Sequence, residues 1–409
     1  MEYIRRHIET VTRETLHSFK GVLVTGARQT GKSTLLRKLF PEMRYVTLDD
    51  DFAREQAREN PASFLMMNPP PVFYDEVQYA PQLFSQIKIR CDQEMQKGAF
   101  CLSGSQPLNL MKNASESLAG RVGILELTGL SLREIQGDPF SEPFVPRLDY
   151  VQAHRETAQA PDNLWHIIHR GGYPELQDPS VNWSIYYSSY VTTYLERDVR
   201  QLTAVQNLSD FRRFMVAAAA RTGQMLNYAN IADEIGKDEK TIRHWISILE
   251  ASGIVYILEP YSNSALKRAI KTPKLYFRDT GLAAYLTRWL TPETMANGAM
   301  SGAFFETFVV NEILKSYINR GIDYHFCVSY YRGHDQGKEQ EIDLIIEENG
   351  LLYPVEIKQN DHVKAEQTQA FRVLEQLKDK QRGMGAVVCM CSQPALLREN
   401  VMALPVWYI

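Results

Sequence analysis

The chain has 409 residues, enough for two to four domains that each bury a core of their own. Hydrophobic residues make up 44% of it and charged residues 23%, which excludes an intrinsically disordered chain. The formal net charge of −4 excludes binding of polyanions through bulk charge, so any nucleic-acid contact must come from a local basic patch. The five cysteines lack disulfide-like spacing, no apolar run has membrane-spanning length, and the first residues do not resemble a signal peptide. We therefore expect a protein of the reducing cytoplasm.

The first predicted strand, loop and helix lie within residues 22–36, VLVTGARQTGKSTLL. The pattern GxxxxGK(S/T) between an apolar strand and an apolar helix is typical of a phosphate-binding loop, and a chance glycine turn would not explain both flanks. Its glycines let backbone N–H groups point at phosphate oxygens, and the helix adds the positive end of its dipole. We expect Lys32 to reach the β- and γ-phosphates of ATP and Ser33 to hold Mg²⁺. The residues expected to contact the nucleotide are Gly26, Ala27, Arg28, Gln29, Thr30, Gly31, Lys32, Ser33 and Thr34.

The second half of a nucleotide site is predicted where an apolar strand, residues 72–74, runs into Asp75 and Glu76. Asp75 would bind Mg²⁺ through its water shell, and Glu76 would polarise the attacking water. A carboxylate that caps the next helix is the alternative. A third strand, residues 99–103, places Ser103 at its tip, either to sense the γ-phosphate or within an ordinary β-to-α turn. Strands that alternate with helices predict a parallel sheet flanked by helices.

Two arginines are candidates for contact with the γ-phosphate, in their own site or in that of a neighbouring subunit. Arg121 lies in LAGRV, and Arg197 lies in YLERDV. Each could equally pair with a carboxylate, which for Arg197 would be Glu196 or Asp198. The sequence leaves both interpretations open.

Two helices across a tight turn are predicted at residues 226–236 and 241–251, followed by a strand at 254–258. This order is typical of a winged helix-turn-helix. The polar face of the second helix would meet DNA phosphates or base edges. A fold that only joins domains or binds protein is the alternative, because Asp238 and Glu239 reduce the positive charge at the helix start. The basic residues of the polar face are Lys240, Arg243 and His244.

A β-hairpin is predicted in the C-terminal part, where Asn349-Gly350 separates two apolar runs. The two-residue turn fixes a register in which Asp343 faces Glu356. The same register places Glu341 opposite Lys358, on the same side of the hairpin. The other side is predicted to be core, formed by Ile342, Leu344, Ile346, Tyr353, Val355 and Ile357.

The facing carboxylates predict a metal site, because carboxylates with Cβ atoms about 5 Å apart repel unless a cation relieves the repulsion. Oxygen ligands suit Mg²⁺ or Mn²⁺. Glu306, at the start of a helix, could supply a third carboxylate beside Asp343 and Glu356. Lys358 would stabilise negative charge on a phosphate or orient a nucleophilic water. The alternative is a charged solvent-facing surface in which Glu341 and Lys358 simply pair.

The succession GARQTGKST, VFYDEVQ, CLSGSQ and LAGRVGILELTGLSLREI resembles the prokaryotic AAA+-type ATPases that carry a nuclease-like C-terminal domain. The resemblance spans nearly the whole chain and includes GGYPE at residues 171–175 and TYLERDV at 193–199. Glu306, Asp343 and Glu356-Ile357-Lys358 resemble the motif of the PD-(D/E)xK nuclease superfamily, without a proline before Asp343. In these ATPases a complete motif does not imply that the domain cuts nucleic acid.

The resemblance implies a multidomain α/β protein. Its expected parts are a P-loop parallel sheet at residues 1–150, a helical lid or linker at 151–205, a winged helix at 206–262 and a restriction-endonuclease-like α/β domain at 263–409. The most basic stretch of the chain, residues 265–278, would be a positive groove beside the nuclease-like domain or a solvated linker.

These features predict an ATP-binding and ATP-hydrolysing protein that acts on, or is regulated by, nucleic acid such as DNA. They leave open whether the C-terminal domain also has a Mg²⁺-dependent nuclease site. The alternative is a nucleotide-gated regulatory or interaction protein whose nuclease-like domain does not cleave, which the net acidity favours. A small-molecule kinase fits less well, since nothing after the glycine loop suggests an acceptor pocket. The AAA+ resemblance is compatible with an oligomer, and no membrane partner is expected.

Overall fold

The computed structural model describes residues 2–93, 96–105, 118–195, 208–262, 272–335, 338–377 and 380–409. Its amino-terminal part contains a parallel sheet of five strands in the spatial order β2-β3-β4-β1-β5. These strands are β1 Gly21–Thr25, β2 Arg44–Thr47, β3 Val72–Asp75, β4 Phe100–Gly104 and β5 Val122–Glu126. The accompanying helices are α1 Glu9–Ser18, α2 Lys32–Leu39, α3 Asp51–Glu59, α4 Pro61–Met67 and α5 Leu83–Gln93.

The central strands of this sheet are buried on both faces, as the apolar strands of parallel sheets usually are. Leu23 of β1 lies in the apolar cluster on one face, and Val22 and Val24 lie in the cluster on the other. Helix α2 packs against the second face through Leu35 and Leu36. The predicted parallel sheet flanked by helices is therefore confirmed.

Short helices follow the sheet, and side-chain caps set where several of them begin. The helices are α6 Leu132–Gln136, α7 Leu148–His154, α8 Leu164–Arg170 and α9 Trp183–Ser189, and α9 continues into a π-helix, Tyr190–Leu195. Ser131, Asn163 and Asn182 each accept a hydrogen bond from a first-turn amide, at α6, α8 and α9 respectively. These caps stabilise helices that are too short to form on their own.

In the middle of the chain, the described residues form three α-helices and a three-stranded antiparallel sheet. They are α10 Leu208–Ala219, α11 Tyr228–Ile235, α12 Glu239–Ala251 and, in spatial order, β6 Gln224–Met225, β8 Lys274–Phe277 and β7 Val255–Leu258. Helix α11 ends at Gly236, and the side chain of Asp238 caps α12, so the predicted helix pair and the strand after it are present. The expected boundary between residues 262 and 263 falls between the paired strands β7 and β8.

Among the described residues, the C-terminal part combines three α-helices with a mixed seven-stranded sheet. Six strands run in the order β14-β15-β13-β11-β10-β9, and β12 pairs with β11. The helices are α13 Thr280–Leu286, α14 Pro292–Ala296 and α15 Ser301–Ile318, and the strands are β9 Val328–Asp335, β10 Lys338–Glu348, β11 Leu351–Ile357, β12 Gln381–Arg382, β13 Gly385–Cys389, β14 Ala395–Arg398 and β15 Val401–Pro405. The turn residues Asn349 and Gly350 both have positive φ, as a two-residue hairpin turn requires. Leu344 pairs with Val355 and Glu348 with Leu351, so the predicted hairpin and its register are confirmed for residues 344–348 and 351–355.

One continuous apolar core joins the middle and C-terminal parts. Trp245 of α12 packs against Phe211 and Phe214 of α10, with ring centroids 5.4 and 5.2 Å apart. The same core includes Leu344 of β10 and extends to Ile409. None of the described helices combines the length and apolar character needed to cross a lipid bilayer.

Candidate functional site

The loop between β1 and α2 has the geometry of a phosphate-binding loop. Gly26 has a φ of 140°, and a Cβ at this position would lie 2.2 Å from the carbonyl oxygen of Leu127, so only glycine fits. Gly31 is the N-cap residue of α2, and no side chain of the described residues caps this helix. The first-turn amide groups and the positive end of the helix dipole therefore face the loop.

The ammonium group of Lys32 lies inside this loop. Lys32 is 5% exposed, and its Nζ lies 2.7 Å from the carbonyl oxygen of Ala27 and 3.2 Å from that of Gly26. The positive charge of Lys32 is therefore withdrawn from water and lies inside the loop. The sequence predicts that this ammonium contacts the β- and γ-phosphates of ATP there.

Asp75, at the end of β3, accepts hydrogen bonds from three hydroxyl groups. Ser33 Oγ donates to Oδ1 at 2.9 Å, Tyr45 Oη donates to Oδ2 at 2.8 Å, and Ser103 Oγ donates to Oδ1. Burial, followed by the hydrogen bond to Asp75, raises the pKa of Tyr45 to about 12. Tyr45 belongs to no sequence motif, so its role is visible only in the fold. Ser103 orients Asp75, and its contact with the γ-phosphate stays a prediction.

Glu76 has a left-handed backbone, with φ 58° and ψ 44°. This conformation is costly for a residue other than glycine and clusters at functional sites. Glu76 Oε2 accepts a hydrogen bond from Ser105 Oγ at 2.9 Å and another from the side-chain amide of Gln78. Ser105 and Gln78 thus position the carboxylate that is expected to polarise water, although neither residue carries a sequence signal of its own.

The oxygen atoms at this end of the sheet fit Mg²⁺. Burial, followed by the negative charges of Glu76 and Asp75, raises the pKa of Asp49. The carboxyl ends of β2 and β3 therefore carry a surplus of negative charge close to the Ser33 hydroxyl. Mg²⁺ selects oxygen ligands of this kind and takes its remaining ligands from substrate phosphates and water.

Arg121 does not reach the phosphate-binding loop of its own subunit. It directly precedes β5, at the amino ends of the parallel strands, whereas the loop follows the carboxyl end of β1. Five residues of strand, about 16 Å, separate these two ends. Its Nη2 instead lies 3.0 Å from Asp92 Oδ2. The prediction that Arg121 contacts the γ-phosphate in its own subunit is therefore wrong, and a contact in a neighbouring subunit stays a prediction. Arg197, the other candidate, lies outside the described residues.

Two segments from outside the sheet contact the phosphate-binding loop. Arg6, 4% exposed, donates to the carbonyl oxygens of Thr30 at 3.0 Å and Thr128 at 2.8 Å. Gly253, in the turn after α12, approaches so closely that a Cβ there would lie 3.2 Å from Ala27 N. The loop therefore touches the middle part of the chain directly, which no sequence motif indicates.

The second predicted site lies on the C-terminal hairpin, where Asp343 and Glu356 are 8% and 9% exposed. Asp343 Oδ2 accepts a hydrogen bond from the backbone N–H of Ile357 at 2.8 Å, and Glu356 Oε1 accepts one from Lys358 Nζ at 2.6 Å. Burial, followed by the charges of Glu306 and Glu356, raises the pKa of Asp343 well above its usual range. The alternative of a solvent-facing charged surface is wrong for Asp343 and Glu356, because both are buried.

The core side of this hairpin differs from the prediction at one residue. The ladder between β10 and β9 shifts register between Ile342 and Ile345, as it does at a β-bulge. Ile342 therefore packs in the same apolar cluster as Ile345, whereas Leu344 packs with Val355 in another. The placement of Ile342 beside Leu344 was wrong, because the bulge breaks the alternation of side chains. The other predicted core residues, Ile346, Tyr353 and Ile357, share the cluster of Leu344.

Lys274 of β8 lies among the carboxylates of this site. Its Nζ is 2.7 Å from Glu341 Oε1, 3.2 Å from Glu306 Oε1 and 3.9 Å from Asp343 Oδ1. Burial alone would lower the pKa of Lys274, but the carboxylates, Glu306 foremost, outweigh it and raise the pKa. Lys274 belongs to the basic stretch that was expected to be a groove or a solvated linker, and the pairing of β8 within the middle sheet buries it instead.

The predicted metal ligands Glu306, Asp343 and Glu356 each contact a donor of the chain itself: Lys274 at Glu306, the backbone N–H of Ile357 at Asp343, and Lys358 at Glu356. Within the described part of the chain, no group of three or more His, Cys, Asp and Glu side chains is placed to hold a metal. Glu306 pairs with Lys274 and Glu356 pairs with Lys358, so ammonium groups use oxygen atoms that a metal would need. The expected Mg²⁺ or Mn²⁺ site stays a prediction, and the ammonium of Lys274, from a neighbouring sheet, lies among the carboxylates that would hold the metal.

Comparison with known families divides the chain into three matched segments. Residues 18–136 match a family described as an AAA domain. Residues 161–293 match the domain of unknown function DUF8612, and residues 301–409 match the domain of unknown function DUF4143. Together with the five-stranded parallel sheet and the loop at residues 26–34, the first match identifies the amino-terminal part as a P-loop domain of the AAA type.

Two mycobacterial proteins are similar over most of the chain. The uncharacterized proteins Rv2008c of Mycobacterium tuberculosis and Mb2031c of Mycobacterium bovis are each 29% identical to it over 360 residues, 87% of this chain and 74% of each relative. Among solved structures, the Walker-type ATPase PABY2304 of Pyrococcus abyssi is 14% identical with a TM-score of 0.45, over 69% of this chain and 96% of that one. AMPPCP-bound DnaA from Aquifex aeolicus is 16% identical with a TM-score of 0.29, over 59% of this chain and 86% of that one. Both TM-scores are too low to establish a shared fold.

Proposed function

We propose that the protein binds ATP at residues 26–34 and hydrolyses it with Mg²⁺. The observation that carries this proposal is the Lys32 ammonium held within the loop at the start of α2. There the ammonium and the loop amides would bind the β- and γ-phosphates. Release of inorganic phosphate from ATP by the purified protein tests the proposal, and a preparation that binds ATP without turnover would reduce it to nucleotide binding.

Glu76 is the group proposed to act on the attacking water. Its carboxylate is fixed by Ser105 and Gln78, so it needs no reorganisation before accepting a proton. Ser33 and Asp75 would hold the Mg²⁺ that accompanies ATP and neutralises charge on the transferred phosphoryl group. Tyr45 and Ser103 keep Asp75 in place for this role.

We also propose that α12 contacts nucleic acid as the recognition helix of a winged helix. The order α10, β6, α11, α12, β7, β8 is consistent with that fold. Lys240, Arg243 and His244 are exposed, but Arg243 pairs with Glu239 and lies over the ring of Tyr228 at 4.0 Å. A phosphate contact would therefore depend mainly on Lys240.

Replacing Lys240 with alanine is expected to weaken binding to duplex DNA of any sequence and to reduce the slope of log Kobs against log salt concentration by about 1. Fluorescence anisotropy with a labelled duplex at several salt concentrations measures both quantities. Lys97→Ala, which removes an exposed lysine of the P-loop domain, serves as the matched control. Equal affinity and slope for wild type and Lys240→Ala would remove α12 from the interface.

A second candidate function is nucleotide-gated regulation, in which the C-terminal domain recognises a partner without cleaving nucleic acid. The position of Lys274 among Glu306, Glu341 and Asp343 favours it over metal-dependent cleavage. The contact between Gly253 and the phosphate-binding loop would let the nucleotide influence the middle part of the chain.

Incubation of DNA and RNA with the protein, ATP and either Mg²⁺ or Mn²⁺ distinguishes recognition without cleavage from metal-dependent cleavage. The second candidate predicts intact substrate with both wild type and Asp343→Asn. Cutting by the wild type that Asp343→Asn abolishes would instead establish a nuclease, whereas cutting by both would indicate a contaminant.

A further inference from the structure

The C-terminal carboxylate site already contains a cation that belongs to the chain itself. Lys274 Nζ lies 2.7, 3.2 and 3.9 Å from carboxylate oxygens of Glu341, Glu306 and Asp343. The oxygens of Glu341 and Glu306 lie within hydrogen-bond distance of the ammonium, and that of Asp343 lies farther out as an ion pair. The side chain of Lys274 is only 4% exposed, so its charge is compensated by these carboxylates and hardly by water.

Strand pairing, and not the carboxylates alone, places Lys274 at this position. Strand β8 pairs with both β6 and β7. Two residues after Lys274, Tyr276 Oη donates a hydrogen bond to Glu306 at 2.7 Å. Directly after the strand, Arg278 forms an ion pair with Glu126 at the end of β5. Strand pairing at Lys274 and these side-chain contacts after it therefore fix the backbone that carries the lysine, and the ammonium is a built-in part of the site.

A second lysine pairs with the carboxylate on the other strand of the hairpin. Lys358 Nζ lies 2.6 Å from Glu356 Oε1. Both strands therefore direct carboxylates at lysine side chains, with Lys274 between Glu341 and Asp343 on one strand and Lys358 on Glu356 of the other. Each ammonium uses oxygen lone pairs that a divalent ion would need for its coordination sphere.

We propose that Lys274 is the resident cation of this site and that it excludes divalent metal ions from it. An ammonium ion and a dication repel each other and compete for the same oxygen atoms, so the site holds one or the other. The site then serves as a metal-free ion-pair network that ties the middle sheet to the C-terminal hairpin. This proposal is independent of ATP hydrolysis, because it concerns the protein without nucleotide.

Titration of the nucleotide-free, full-length protein with Mn²⁺, followed by the electron paramagnetic resonance signal of free Mn²⁺, tests the proposal. The wild type is expected to show no saturable site that depends on Asp343. Lys274→Met keeps a long unbranched side chain and removes the charge, so it is expected to gain one site, which the double variant with Asp343→Asn loses again. Lys237→Met is the matched control, since Lys237 also pairs with a carboxylate, Asp210 at 2.6 Å, but in the middle part of the chain.

Two results would overturn the proposal. One is Mn²⁺ binding by the wild type that Asp343→Asn abolishes, and the other is a folded Lys274→Met, verified by circular dichroism, that binds no Mn²⁺. Should Lys274→Met fail to fold, the comparison of wild type with Asp343→Asn still tests the claim that the site is free of metal: equal absence of Mn²⁺ binding is the result that the proposal requires, and a difference contradicts it.

Discussion

Replacing Lys32 with alanine is expected to lower ATP hydrolysis by about 100- to 1,000-fold, the cost of removing a single hydrogen-bond donor that stabilises charge in a transition state. Lys32 supplies the only side-chain ammonium seen within the loop among the described residues, and it is buried there against the carbonyl groups of Gly26 and Ala27. The loop amides of the variant would still face a phosphate, but the positive charge between β- and γ-phosphates would be gone. Steady-state phosphate release measures the effect.

Lys38→Ala is the matched control for this substitution. Lys38 lies on the same helix α2, is exposed, and contacts the ring of Tyr3 at 5.8 Å, so its loss should leave turnover unchanged. Wild-type turnover in Lys32→Ala would show that the hydrolysed nucleotide is bound elsewhere. Equal loss in both variants would indicate that α2 itself has been destabilised.

Replacing Glu76 with glutamine is expected to preserve ATP binding and to slow hydrolysis by about 100- to 10,000-fold, the range attributed to a general base. Glutamine has the shape of glutamate and can still accept hydrogen bonds from Ser105 and Gln78, but its amide cannot take a proton from water. Binding of a fluorescent ATP analogue and single-turnover hydrolysis separate the two steps. The expected pattern is an unchanged dissociation constant with a lowered rate.

Glu55→Gln, at an exposed position of α3, controls for the loss of one negative charge from this domain. If Glu76→Gln hydrolyses ATP at the wild-type rate, Glu76 is not the base, and its hydrogen bonds with Ser105 and Gln78 are structural. If ATP binding is lost together with hydrolysis, the left-handed backbone at Glu76 supports the fold of the site and not the reaction.

The phosphate-binding loop was predictable because its geometry is encoded by neighbouring residues. Gly26, Gly31, Lys32 and Ser33 lie within eight positions, and strand, loop and helix follow from local patterns. The link from Ser33 to Asp75 was also predictable, since strands of a parallel sheet end at the same edge. Tyr45 could not be foreseen, because its contact with Asp75 depends on the position of β2 in the sheet.

The carboxylate site shows where prediction from local pattern fails. Turn chemistry at Asn349-Gly350 was sufficient to place Asp343 and Glu356 on facing strands. The bulge in β10 and the arrival of Lys274 depend on β9 and β8, which lie outside the hairpin. The residues that predict a metal site from the sequence therefore form, in the fold, a network of ion pairs with Lys274 and Lys358.

Arg121 illustrates a different limit. Its position in LAGRV says that it precedes a strand, but not which edge of the sheet that strand starts from. Only the parallel pairing of β5 with β1 shows that Arg121 lies at the edge of the sheet away from the phosphate-binding loop. Strand direction, a property of the whole sheet, decides the role of such residues.

Calorimetric titration of ATP into the intact protein with Mg²⁺ tests the central claim most directly. The account predicts saturable binding of one ATP per chain, with affinity reduced in Lys32→Ala. Failure of both ATP and GTP to bind the folded wild-type protein in the presence of Mg²⁺ would contradict it, since the loop at residues 26–34 would then hold no triphosphate.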